Sequence, residues 1–245
     1  MQKSGIEYLT HVWNFMTGCK NQENGVCTLP CWARAMSNRF HRSFEPEFHP
    51  EKLGEPLTKK RGGRRIGVCF TGDLFGDWSS FNENHIQRQW IFNMMAACPD
   101  DQFFFLTKCP WNLLKWGEFP DNAWVGVSVC NNDMLARASV ALAGVKAKHK
   151  WLSIEPLLEK LDAERIGQLG DIGVNWLVIG GQTNPTKLPG FSWVKEIIDA
   201  ADNKNIPVWL KNNMAEIATV GDGSINSADI LFRGSLYRQE LPRHA

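Results

Sequence analysis

The chain has 245 residues, with 43% hydrophobic and 22% charged side chains, ordinary globular values that exclude a disordered protein. Lys and Arg total 27 against 26 Asp and Glu, a formal charge of +1, which excludes a surface built throughout for polyanions. No apolar run approaches the ~20 residues that span a bilayer, and Met1-Gln2-Lys3-Ser4-Gly5 leads into no apolar signal core, so a cytoplasmic protein without membrane contact is expected.

In chain order, residues 10–16 form the first predicted strand, which exits into Thr17, Gly18 and a cysteine-bearing loop. Residues 43–65 then break the rhythm with Pro46, Pro50 and Pro56 and the cations Lys59, Lys60, Arg61, Arg64 and Arg65, and read as a mobile basic insertion. The second strand, 66–71, exits into Thr71-Gly72-Asp73. A helix is expected from Ser80, with Ile86, Trp90 and Met94 inward at four-residue spacing. Strand three, 103–107, ends at Thr107-Lys108 and leads to a short helix at 110–116. Strand four, 124–129, ends at Ser128-Val129-Cys130, before a helix from Asn132 that turns Leu135, Ala138, Leu142 and Val145 to one side. Strand five, 151–154, holds Ser153 and exits at Glu155-Pro156; a less regular helix follows at 161–169. Strand six, 176–179, ends at Gly180-Gly181-Gln182. Ser192 is the expected cap of a helix carrying Val194, Ile197, Ile198 and Ala201 inward. Strand seven, 208–210, exits at Lys211-Asn212-Asn213; 230–232 is a weak eighth candidate in an irregular tail, 221–245.

Most of these strands are continuous apolar runs, the pattern of parallel strands covered on both faces. Repeated βα units in a chain of this length predict an α/β fold, a full or partial (β/α) TIM-type barrel in a single domain over 1–245. In such folds sites gather at the carboxyl ends of strands, where this chain places charged residues, hydroxyls and glycine pairs that packing does not need.

Seven cysteines are present, an odd number that points to metal or thiol chemistry in place of a disulfide framework. Cys69, Cys98, Cys109 and Cys130 stand in apolar surroundings and read as small buried hydrophobes. Cys19, Cys27 and Cys31 lie instead among Asn, Gln and Glu, where burial does not explain them. Three thiolates from one loop can ligate three irons of a four-iron cluster and leave the fourth open. The competing metal is zinc, on the same three cysteines with His41 or His49. Trp13, Trp32, Trp78 and Trp116 lie near loops, and core packing is their first reading.

The segment Trp13-Asn14-Phe15-Met16-Thr17-Gly18-Cys19, with Cys27, Cys31 and then Trp32-Ala33-Arg34-Ala35-Met36, resembles the opening of a phage-associated radical SAM-like family of unknown function. Echoes continue through Asp73-Leu74-Phe75, Leu106-Thr107-Lys108, Gly126-Val127-Ser128-Val129, Leu152-Ser153-Ile154-Glu155-Pro156-Leu157 and Ile179-Gly180-Gly181, so the resemblance runs from about residue 10 to 211. Radical SAM enzymes usually carry C-x3-C-x2-C with an aromatic before the last cysteine; here the spacing is C-x7-C-x3-C and Trp32 follows it.

The resemblance implies a 4Fe-4S cluster on Cys19, Cys27 and Cys31 and S-adenosylmethionine chelated at the open iron. An electron delivered by a flavodoxin or ferredoxin would cleave the sulfonium and release a 5′-deoxyadenosyl radical. Thr71-Gly72-Asp73 would receive the methionyl amine, Ser128 and Ser153 the ribose or carboxylate, and Gly180-Gly181 would let backbone approach the adenine or methionine. Lys108, Glu155 and Lys211 are the candidate catalytic residues, although Glu155 and Lys211 can equally form a structural ion pair. By analogy, a phage-encoded enzyme in a host cytoplasm points to nucleotide or nucleic-acid modification; Lys59, Lys60, Arg61, Arg64 and Arg65 read first as a solvated loop, with phosphate contact as the alternative. The rival is a zinc-stabilised, non-enzymatic nucleic-acid-binding protein.

Overall fold

Strand residues such as Phe103, Phe104 and Phe105, or the whole of Ala123–Val129, have no solvent-facing side, and the fold hides them on both faces. The computed structural model describes residues 1–27, 30–58, 62–215 and 237–242. Lys59, Lys60, Arg61, the strand expected at 230–232 and most of the tail expected at 221–245 lie outside them. The fold is mixed α/β, with eight main-sheet strands, mostly parallel, and helices between them. Among the described residues no pairing closes a barrel. No described helix is long and apolar enough to cross a membrane.

The chain divides into two compact units, Met1–Val127 with Gly144–His149, and Ser128–Ala143 with Lys150–Ala245. In chain order the first contains β1 (Gln2–Lys3), β2 (His11–Trp13), β3 (Met16–Thr17), α1 (Trp32–Arg39), β4 (Glu47–Phe48), β5 (Arg65–Val68), α2 (His85–Ala96), β6 (Gln102–Thr107) and most of β7 (Ala123–Val129). Its strands are ordered β1-β2-β5-β6-β7, with β1 antiparallel to β2 and the rest parallel.

The first predicted strand is shorter than the apolar run suggested. Only His11–Trp13 joins the main sheet; Met16–Thr17 turns aside to pair antiparallel with Glu47–Phe48. The segment expected as a mobile insertion is therefore built in where it is described. Besides β4 it holds 3-10 turns at Pro50–Lys52 and Glu55–Leu57, and the Trp13 indole donates to the Lys52 carbonyl at 2.9 Å.

Two of its cations have partners within the chain. Arg64 is 6% exposed and pairs with Asp101, 1% exposed, through its side chain and its own amide. A further guanidinium N–H donates to the Pro56 carbonyl at 2.9 Å. Arg65 lies in β5 and donates from Nε to the Tyr8 carbonyl at 2.7 Å. Two cations of the charged run thus form a buried ion pair and a strand tie.

The helix expected from Ser80 also changes. Ser80–Asn82 forms a 3-10 turn and the α-helix restarts at His85, capped by Asn84, whose Oδ1 accepts from the Ile86 and Gln87 amides. The buried stripe is Ile91 and Met95, while Ile86 and Trp90 are 54% and 43% exposed. Residues 110–116 form a 3-10 helix.

In the second unit, α3 (Asn132–Gly144) buries Leu135, Ala138 and Leu142 as its periodicity predicts. The remaining elements are β8 (His149–Ile154), α4 (Ala163–Asp171), β9 (Val174–Ile179), a hairpin of β10 (Gln182–Thr183) and β11 (Thr186–Lys187), α5 (Phe191–Asp202) and β12 (Val208–Leu210). Strands β8, β9 and β12 are parallel in that order. Helix α5 buries its expected face, but starts on Gly190, so Ser192 is inside the helix and is no cap. Cys69, Cys98, Cys109 and Cys130 are all buried, as their surroundings predicted.

Candidate functional site

Parallel strands release their chains at one edge, and in the first unit that edge collects the cysteine loop from β2, Thr71-Gly72-Asp73 from β5 and Thr107-Lys108 from β6. Two glycines allow the loops to meet. Gly18 bridges to Gly72, and a Cβ on Gly72 would lie 2.4 Å from the Gly18 carbonyl oxygen. A Cβ on Gly18 itself would meet the Glu45 oxygen at 2.2 Å, and its φ of +81° suits glycine. Gly72→Ala must push backbone against backbone. It is expected to lower stability by about 1–3 kcal/mol in a denaturant titration.

Asp73 is the anchor of this edge. Its Oδ1 accepts from the Thr107 hydroxyl at 2.7 Å and the Phe75 amide at 3.1 Å. Its Oδ2 accepts from the Asn21 side-chain amide at 2.8 Å and the Lys108 backbone amide at 3.0 Å. A carboxylate has about four acceptor positions, and these four donors fill them. Burial nevertheless outweighs the four bonds and raises the carboxyl pKa above its ordinary value. Asp73 thus has no acceptor position left for an incoming amine.

Asn21 transmits that anchor to the cysteines. Its backbone amide donates to Cys19 Sγ at 3.5 Å, and its carbonyl accepts from the Val26 and Cys27 amides at 2.8 and 3.0 Å. Its Oδ1 accepts from the Cys109 thiol at 3.2 Å. No sequence signal singles out Asn21 in a loop of Asn, Gln and Glu; its role exists only because β5 and β6 bring Asp73 and Cys109 to it. Asn21→Ala should leave circular dichroism unchanged while speeding alkylation of Cys19 and Cys27 in metal-free protein, read by mass spectrometry. Equal alkylation rates would remove Asn21 from this role.

Cys19, Cys27 and Cys31 are free and half-buried. Burial is the chief reason that the Cys19 thiol is pushed up to about 12; the Asn21 amide opposes it, while Asp73, Cys31 and Cys27 push further. Cys31 caps α1, accepting from the Arg34 amide at 3.5 Å. Among the described residues no three His, Cys, Asp or Glu side chains are drawn together as a formed metal site. Residues 28 and 29, between Cys27 and Cys31, are outside the description. His49 Nε2 is 2.8 Å from the Thr17 hydroxyl and His41 is exposed, so neither is grouped with the thiols.

The donor set itself suits a cluster: three unpaired thiols on one loop, the sulfur ligands such a group takes. Two buried oxygens at neighbouring strand exits, Asn14 Oδ1 and Thr71 Oγ1, have no hydrogen-bond partner among the described residues. Buried polar atoms of this kind suit a polar ligand.

The second unit gathers a different set around Glu155. Lys211 Nζ pairs with Glu155 Oε2 at 2.8 Å, and the Ser153 hydroxyl lies 3.3 Å from Oε1. Ser128 Oγ and Cys130 Sγ both lie 3.4 Å from the Glu155 carbonyl oxygen. The absent side chain of Gly180 makes room for this pair: a Cβ there would sit 3.1 Å from Lys211 Cδ and 3.2 Å from Glu155 Cγ. Gly181 exchanges two hydrogen bonds with the Asn213 side chain. The glycine pair thus already has partners within the chain. Lys108 lies with Asp73 in the first unit and is half-buried.

The chain belongs to the family described as "Protein of unknown function (DUF5131)", whose model matches residues 3–237. That description names neither radical chemistry nor a phage. No curated protein matches the chain.

Proposed function

We propose that this member of the DUF5131 family is a radical S-adenosylmethionine enzyme holding a 4Fe-4S cluster on Cys19, Cys27 and Cys31. The observation that carries the reading is the three-thiol loop tied through Asn21 to Asp73, where parallel strands end. On this reading the sheet is a full or partial (β/α) barrel with the site at its carboxyl end. When bound, the cluster would supply the electron that cleaves the sulfonium of S-adenosylmethionine, the electron itself coming from a flavodoxin or ferredoxin.

The chain's own residues supply position and shelter. Asp73 holds the cysteine loop against β5 and β6, a role its four filled acceptor positions support. Thr71 Oγ1 and Asn14 Oδ1 are the acceptors left over for the polar groups of the nucleoside or methionine. Gly72 keeps the backbone there close and open to approach. Lys108 is the proposed substrate-side cation of the first unit, and Ser128, Ser153, Glu155, Gly180, Gly181 and Lys211 form the proposed polar group of the second. A nucleotide or nucleic acid, in a phage-related context, is the proposed substrate class.

The test is anaerobic purification with iron, sulfide and zinc analysis and a visible spectrum. About four irons and four sulfides per chain, with broad absorbance near ~400 nm, is the expected result. A colourless protein with one zinc would overturn it and leave the zinc-stabilised binding protein.

A further inference from the structure

Helix α1 begins immediately after Cys31, and only one of its residues, Ala33, is buried. Trp32, Met36 and Phe40 recur every fourth position and are 59%, 45% and 56% exposed, so one helical stripe faces outward with its apolar side. Scattered exposed apolar residues need no explanation, but a contiguous stripe with two aromatic rings does.

Charge identifies what fits it. No acidic residue occurs between positions 24 and 44, while Arg34, Arg39, His41 and Arg42 do. The flanking acids are neutralised: Glu23 pairs with Arg34 at 3.0 Å and Glu45 with Lys20 at 2.8 Å. Neither Arg39 nor Arg42 has an acidic partner among the described residues. The Arg42 guanidinium lies over the Phe40 ring at 5.7 Å, and that of Arg34 over the Phe44 ring at 4.8 Å. Planar rings beside guanidinium groups, two of them (Arg39 and Arg42) with no acidic partner among the described residues, are the components that hold unpaired bases and their backbone.

We propose that the outer face of α1 is a docking surface for single-stranded nucleic acid, with bases stacked on Trp32 and Phe40 and phosphates held by Arg39 and Arg42. Trp32 opens α1 and Phe40 caps its end, so their backbone positions are about 12 Å apart along the axis, far enough to take separate bases of one strand. The proposal does not use Arg64 and Arg65, which bond the Asp101 carboxylate and the Tyr8 carbonyl. The inference does not depend on the cluster, because an iron-free chain presents the same side chains.

Fluorescence anisotropy with the full chain tests it, using labelled oligo-dT and oligo-rU of about 15 nucleotides, within the usual range of site sizes. Wild type is expected to bind both single strands at low salt, and a duplex of the same length less tightly. Trp32→Ala and Phe40→Ala should each weaken binding by about 5- to 150-fold, the loss of one stacked base. Replacing Arg39 and Arg42 together with Ala should flatten the slope of log affinity against log salt by about 1.4. All four side chains are exposed, so circular dichroism should stay that of wild type. No binding by wild type, or undiminished binding by both ring variants, would overturn the proposal. So would loss of binding only when Lys59, Lys60 and Arg61 are replaced. A concentration-dependent dimer abolished by Trp32→Ala would overturn it too, assigning the face to a second copy of the chain.

Discussion

Arg64→Met is expected to cost about 3–5 kcal/mol of stability, because it strands the buried Asp101 carboxylate without its counter-charge. The pair is more than one contact. Asp101 Oδ1 also accepts from the Gly62 and Arg64 backbone amides, at 3.2 and 3.1 Å, so one carboxylate closes the turn into β5 and anchors it beside β6. Burial by itself would raise the Asp101 pKa, but the Arg64 hydrogen bonds and charge prevail and hold the carboxyl below its ordinary value. The sign of the pH dependence follows. In wild type the contribution is complete above the unfolded value of about 3.9, and is lost as pH falls through the lower folded value. In Arg64→Met the counter-charge and its side-chain hydrogen bonds are gone, burial is opposed only by the two backbone amides, and the folded value is expected to rise. The variant's deficit should then be greatest at neutral pH and shrink on acidification towards pH ~4. The double variant Arg64→Met with Asp101→Leu leaves no buried charge and should recover much of the loss. Denaturant midpoints at two pH values decide this; an Arg64→Met midpoint equal to wild type would mean that water reaches the carboxylate.

Substituting any of Cys19, Cys27 or Cys31 with Ala should abolish or strongly reduce iron retention in anaerobically purified protein, because three thiolates are needed to hold the cluster on the chain. Cys69→Ala and Cys130→Ala should keep wild-type iron content. Cys69 is sealed in the core behind β5, with its thiol pushed up by burial, and Cys130 turns its sulfur to the Glu155 carbonyl. Cys109 is the informative intermediate. It is buried and spends its thiol proton on Asn21 Oδ1, so Cys109→Ala should keep the iron while loosening the Asn21 contact. Iron that survives Cys19→Ala but not Cys130→Ala would refute the ligand assignment. Zinc retained by all three loop variants would refute a thiolate site there altogether.

Much of the fold was legible because its strands are local statements. A run such as 103–107, 176–179 or 208–210 has apolar or aromatic side chains on consecutive positions, and each proved to be a buried parallel strand whatever its neighbours. The inward stripe of α3 was legible for the same reason: its periodicity leaves one face apolar. The face of α2 was not, since apolar side chains lie around much of that helix and its packing partners chose Ile91 and Met95 over Ile86 and Trp90. The unusual placement of Cys19, Cys27 and Cys31 in a polar loop was visible in the residues; that Asn21 and Asp73 tie this loop down was not, because the bond spans 52 positions and needs two strands to be set side by side. The basic run at 59–65 shows the same division. Its charge is written in the sequence, but whether Arg64 meets water, phosphate or carboxylate depended on Asp101, 37 residues further on, and only the pairing of β5 with β6 brings that acid within reach.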